Sequence, residues 1–209
     1  MLDNYEILDN GVIRQINVFN PVKYDNEYVN NSYNTYGNSV TNMSYLRLGY
    51  IIGSIGTIPN SILDVGYGNG SFLNECKNII KECYGNDISN YNLPDGVGFI
   101  DNIKDRHFDV VTFFDSLEHF EDISFVKDID CNYVVISLPW CHNISDDWFS
   151  NWKHRRPDEH LYHFNDESLI KFMHESGYDL INISRFEDTI RKPITTLSNI
   201  LSGVFKKRL

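Results

Sequence analysis

Apolar positions along the 209-residue chain are organised in two ways. Short unbroken runs, Ser61–Val65, Phe108–Phe114 and Tyr133–Leu138, are β-branched and lack polar alternation. Strands covered on both faces read this way. A further strand ends at Asp87, and a short one near Gly98–Ile100 ends at Asp101. Between the runs, apolar residues recur at helical spacing. Met43, Leu46, Tyr50 and Ile51 predict a helix near residues 43–56. Phe72, Leu73, Cys76, Ile79, Ile80 and Cys83 predict one that starts at Ser71. A last helix is expected over Asp166–Ser176, stopped by Gly177, before a strand at Tyr178–Phe186. Alternating strands and helices imply an α/β fold: a right-handed, mostly parallel twisted sheet with helices on both faces. The stretch Ile194–Phe205 reads either as an amphipathic helix or as an antiparallel C-terminal strand at the sheet edge. Residues 1–42 show no sustained period and read as a mostly irregular arm.

The length fits one domain spanning residues 1–209. It divides into an N-terminal arm and helix (1–56), a ligand-binding half (60–140) and a substrate-side remainder (141–209). With 18 basic and 29 acidic side chains the net charge is −11, which argues against a general nucleic-acid binder. Residues 1–150 carry 8 basic and 21 acidic groups, a net of −13; residues 151–209 carry 10 and 8, a net of +2. No apolar run approaches the roughly 18 residues that cross a bilayer, so no membrane partner is expected. The acidic start, Met1 to Glu6, is unlike a signal peptide, and a cytoplasmic location is expected. Cys76 and Cys83, seven apart on a helix, would stand roughly 10 Å apart along its axis, too far for a disulfide. Both are expected to face the core.

The sharpest motif joins the first buried strand to its helix: Asp64-Val-Gly66-Tyr-Gly68-Asn-Gly70. Glycines there permit a tight turn and close approach of a ligand to a helix N-terminus. The dinucleotide pattern needs glycine at the sixth position from Gly66, where Ser71 stands, so a nicotinamide-linked oxidoreductase is disfavoured. Asp-x-Gly-x-Gly-x-Gly fits completely and resembles the cofactor motif of class I S-adenosylmethionine-dependent methyltransferases. Asp87 ends the next strand, where that family places the acid for the ribose hydroxyls. Asp101 and Asn102 end the third strand, where it contacts adenine. Phe108 to His119 resembles its fourth strand and following loop. The resemblance implies a Rossmann-like class I methyltransferase fold, S-adenosylmethionine as cofactor, and further contacts from Ile88, Asp115, Ser116 and Leu117. A carboxylate can accept both hydrogen bonds of a ribose diol. Tyr28 and Tyr33 of the arm are expected to close over the cofactor as part of a lid.

Methyl transfer is an in-line displacement that needs alignment, plus a base when the acceptor is a hydroxyl. His119 is the first candidate base and His160 the second, because imidazole titrates near working pH. Trp140, His142, Arg155, Arg156 and His163 are expected to line the acceptor site, with the two arginines gripping an anionic small molecule or conjugate. Asp115-x-x-Glu118-His119 is similar to the Glu-x-x-Glu-His arrangement of ubiquinone-pathway O-methyltransferases, which implies a divalent ion; no metal is assigned here on that likeness. The competing reading is a non-catalytic S-adenosylmethionine-binding regulatory or assembly protein. An oligomer is expected, if at all, through Ile194–Phe205.

Overall fold

Seven strands form the central sheet of the computed structural model, which describes residues 3–33, 39–193 and 195–208, the side chains of 31–33 excepted. In chain order the elements are β1 (Tyr5–Ile7), β2 (Ile13–Gln15), α1 (Asn26–Tyr33), α2 (Ser39–Ile55), β3 (Ser61–Val65), α3 (Ser71–Cys76) and β4 (Glu82–Asn86). There follow β5 (Gly98–Phe99), β6 (Phe108–Phe114), β7 (Cys131–Pro139), α4 (Asp146–Asn151), β8 (Tyr162–His163), α5 (Asp166–Glu175), β9 (Tyr178–Ser184) and β10 (Ile200–Lys207). The central order is β5-β4-β3-β6-β7-β10-β9, parallel as far as β7 and antiparallel at β10 and β9.

The unbroken apolar runs became strands because both their faces are covered. Ile62, Val110, Val135 and Val204 pack with Leu48, Ile51, Phe72 and Leu73 of α2 and α3. Leu63, Val111, Val134 and Leu201 face the other way, toward Leu169, Phe172 and Met173 of α5. The order reverses at β3, between β4 and β6. That switch point opens a crevice at the carboxyl ends of the strands, where α/β sheets bind ligands.

Four expectations are corrected. The N-terminal arm carries regular elements: β1 pairs with β2 and β2 with β8 in a second, antiparallel sheet, and α1 follows. Its strands were missed because three residues are too few to show a period. The helix from Ser71 ends at Cys76, and Cys83 lies in β4, although both thiols are buried as expected. The expected 43–56 helix begins earlier, at Ser39. The C-terminal stretch holds the expected antiparallel strand, but not at the sheet edge: β10 lies between β7 and β9 with Ile200 to Phe205 buried. Among the described residues no helix is long and apolar enough to cross a membrane.

Candidate functional site

A cleft of about 570 Å³ runs over the carboxyl ends of β3, β4 and β6, within the range of small-molecule sites. One end is built by the glycine turn. Gly66 has φ +80°, and a Cβ there would stand 2.5 Å from Ser116 Cβ, so only glycine lets the turn after β3 pass the loop after β6. Asp87 holds that turn in place: its Oδ2 accepts from the Gly68 amide at 2.9 Å and its Oδ1 from Ser89 at 2.8 Å. Asp64 is buried beneath, accepting from Thr112 Oγ1 at 2.6 Å. Burial raises its carboxyl to about 6, against the Thr112 hydrogen bond, which lowers it.

The middle of the cleft carries an ion network. Asp115 follows β6 directly with φ +53°, a left-handed conformation unusual for a side-chain-bearing residue. Arg191 Nη1 brackets its carboxylate at 2.8 and 2.9 Å, and Arg47 Nη2 reaches it at 3.0 Å. Both arginines also bind Glu187, which has no exposed surface. Burial alone would raise the Asp115 carboxyl, but Arg191 and Arg47 outweigh it and hold it well below the usual range. Such pairing is what makes a positive φ tolerable at this point.

At the far end the chain after β6 forms a tight turn, Leu117–His119, that presents Glu118 and His119 to the cleft beside His160. His119 Nδ1 lies 2.9 Å from the Glu159 carbonyl and 2.8 Å from the Tyr24 hydroxyl. A carbonyl only accepts, so we assign the proton to Nδ1, with the Tyr24 hydroxyl turned to the same carbonyl at 3.5 Å, and Nε2 keeps its lone pair. Burial pushes the His119 pKa down, which keeps the ring neutral. Val18, Pro21, Val22, Tyr24 and Tyr28 of the arm form the roof. Tyr28 donates to Glu159 Oε1 at 3.1 Å, and Arg156 Nη1 donates to the same oxygen at 3.0 Å.

The expected site residues thus separate. Asp64, Gly66, Gly68, Asp87, Ile88, Asp115, Ser116, Tyr28, His119, His160 and Arg156 share the one cleft. Gly70 caps α3 and borders a smaller depression beside Pro94. Leu117 is wholly buried in the core. Asp101 and Asn102 are exposed and do not line the cleft; Asn86 lines it instead and holds that loop by donating to the carbonyls of Ile100 and Asp101. The side chain of Tyr33 lies outside the described residues.

Trp140, His142, Arg155 and His163 are not cleft residues either. Trp140 packs under the Arg185 guanidinium, 3.6 Å from its ring centre, and His142 Nε2 pairs with the Ser198 carbonyl. Arg155 lies over the rings of Tyr5 and Phe149, and His163 is buried among Tyr5, Phe149 and Trp152. Sequence proximity pointed to the cleft, but His163 lies in β8 of the second sheet, Arg155 packs on Tyr5 of that sheet, and Trp140 and His142 turn toward Arg185 and Ser198. Conversely, Arg47, Arg191 and Tyr24 line the cleft without having been singled out. Arg47 did leave a signal: it is the one charge in the apolar helix stretch Tyr45–Ile52.

Comparison with known proteins agrees with this construction. A family model described as a methyltransferase domain matches residues 53–183. Magnesium protoporphyrin IX methyltransferase from Synechocystis, solved with S-adenosylhomocysteine, superposes with a TM-score of 0.60 at 13% identity over 88% of this chain and 96% of that one. The 1,6-didemethyltoxoflavin-N1-methyltransferase of Burkholderia thailandensis, solved with its substrate and S-adenosylhomocysteine, gives 0.58 at 13% identity over 99% and 100%. The plantazolicin methyltransferase gives 0.58 at 15% identity over 88% and 89%. No curated protein sequence matches the chain. At such identities the neighbours speak for the fold alone. The family match spans more than half of the sequence and includes the glycine turn, Asp87 and the loop after β6, and on that ground the chain belongs to the class I S-adenosylmethionine-dependent methyltransferases.

Proposed function

We propose that the protein methylates an oxygen or nitrogen nucleophile of a small molecule or conjugate. The acceptor would enter at the end of the cleft that holds His119. The observation that carries this reading is continuity: the glycine turn and the bare Nε2 of His119 belong to one cleft, so a bound cofactor and an acceptor can meet in it.

S-Adenosylmethionine fits the residues at the β3 end. Gly66 leaves room that a Cβ would fill, and Asp87 places a carboxylate at the rim of the turn. Both Asp87 oxygens already accept from backbone amides, which orients the group while leaving each a free lone pair for a hydroxyl. When bound, the cofactor supplies an electrophilic methyl group on a sulfonium. The acidic floor, Asp64 with Asp87, suits a cation. Tyr24, Tyr28 and Val18 cover the cleft and limit access of water. His119, neutral and with Nε2 free, is placed to take a proton from an acceptor hydroxyl or amine, and His160 stands behind it, ring centres 4.7 Å apart. Arg156 is the cleft arginine most open to an anionic acceptor, although its Nη1 already pairs with Glu159, whereas Arg155 is packed elsewhere and Arg47 and Arg191 are held by Asp115 and Glu187. The family match favours turnover over a purely regulatory binding role.

Formation of S-adenosylhomocysteine across a panel of hydroxylated and amine acceptors, neutral and anionic, tests the reading. His119→Ala should lower turnover at least about 100-fold, the usual worth of a positioned base. Unchanged turnover would remove His119 from the chemistry.

A further inference from the structure

Glu118 is 1% exposed, and neither of its carboxylate oxygens has a hydrogen-bond partner among the described residues. Burying such a group is costly unless something compensates it. Its two histidine neighbours cannot do so. The contact with the Glu159 carbonyl assigns the His119 proton to Nδ1. His160 is fixed in the same way: its Nδ1 lies 2.8 Å from the His154 carbonyl, which also only accepts, so its Nε2 is bare. The Nε2 of His119 stands 4.0 Å from Glu118 Oε1. One ligand atom from each of the three residues lies within 4.8 Å of the others, at the wall of the cleft. Three lone-pair bearers therefore converge on one point with no donor among them. A proton on Glu118 could serve only one of its neighbours.

We propose that Glu118, His119 and His160 bind a first-row divalent transition ion whose remaining coordination positions open into the cleft. Two imidazole nitrogens with one carboxylate favour such an ion over Mg²⁺, which prefers oxygen. The carbonyls of Glu159 and His154 hold both rings by their Nδ1–H groups, the usual way in which a metal-binding histidine is oriented. Ligands at about 2.1 Å from a tetrahedral ion stand roughly 3.4 Å apart, so the observed 4.0 Å pair closes by a small side-chain adjustment. Asp115, the acid that sequence spacing offers for an ion, is excluded because Arg47 and Arg191 occupy it. His160, forty-one residues after His119, takes its place. With the ion bound, His119 is a ligand rather than a base, and the ion would acidify an acceptor hydroxyl in its stead.

The test is a titration of tag-free, chelator-treated full-length protein with Co²⁺ near neutral pH, followed by visible absorption. The expected result is saturation at one ion per chain, with ligand-field bands but no thiolate charge-transfer band, and displacement by Zn²⁺. Glu118→Gln and His160→Gln should each weaken binding at least about tenfold, while His142→Gln, outside the cleft, should not. Absence of saturable binding by the wild type overturns the proposal whether or not any variant folds, and so does binding unaffected by both cleft substitutions. Calorimetry of S-adenosylhomocysteine binding on the same samples keeps the two readings apart. Cobalt without the nucleoside would count against the methyl-transfer site and leave the metal site standing; the nucleoside without cobalt would do the reverse.

Discussion

Glu187→Gln is the most exacting perturbation of this structure. Glu187 has no exposed surface and accepts from Arg47 Nε at 2.7 Å, Arg47 Nη2 at 3.1 Å and Arg191 Nη1 at 3.0 Å. With Asp115 the cluster is neutral, two cations against two anions. Removing one charge leaves two guanidiniums sharing Asp115, with a neutral amide in the fully buried place of Glu187. Breaking a buried pair from one side costs about 3–5 kcal/mol. At about 2–4 °C per kcal/mol for a chain of this size, the melting temperature should fall by roughly 6–20 °C. Thermal and urea unfolding followed by circular dichroism would measure it. Glu187 does not line the cleft, whereas Arg47, Asp115 and Arg191 do. A parallel loss of S-adenosylhomocysteine affinity would thus show that the network also positions the wall. A melting temperature within about 3 °C of wild type, worth about 1 kcal/mol, would refute the reasoning, because it would mean the cluster is effectively solvated. The pH arm has a definite sign. The Asp115 carboxyl is lowered, so its stabilisation is present above the ordinary carboxylate range and is lost only as pH falls through its folded value. The penalty of Asp115→Asn should therefore be flat from neutral pH down to about 5 and shrink in stronger acid.

Asp64 should behave oppositely. Its raised value, about 6, makes its contribution fully present below the ordinary carboxylate value and lost as pH rises through 6. Asp64→Asn should accordingly gain up to about 3 kcal/mol relative to wild type between pH 4 and pH 7, and equal denaturation midpoints at both would contradict it. Gly66→Ala forces a left-handed alanine into Ser116 and should cost about 2 kcal/mol or more, with part recovered in the Gly66→Ala/Ser116→Gly double variant; no recovery would mean the contact is not the cause. Arg155→Ala should cost about 1 kcal/mol of stability through its lost ring contacts yet leave the KM for any acceptor unchanged, and a raised KM would return Arg155 to the acceptor site.

Local chemistry explains what could be read in advance. Unbroken β-branched runs mark buried strands wherever they occur, and the glycine turn carries its backbone requirement in its own seven residues. Hence the parallel core, the turn after β3 and the place of Asp87 were legible from Ser61–Asp87 and Phe108–Leu138 alone. Short elements were not, because β1 and β2 have only three residues each, and the hairpin they form is joined to its third strand, β8, well over a hundred residues away, through β2.

The cleft itself mixes both kinds of information. Its glycine end follows from contiguous residues. Its charged and histidine ends do not: Arg47 meets Arg191 across 144 positions, and His119 meets His160 across 41. The acidic excess of residues 1–150 suggested a pocket for a cation. Only tertiary structure showed that Asp115 is neutralised by arginines while Glu118, three residues on, is not. Charge counts add side chains without regard to place, whereas electrostatic energy depends on distance and burial, and those are set by how the sheet folds the chain back on itself.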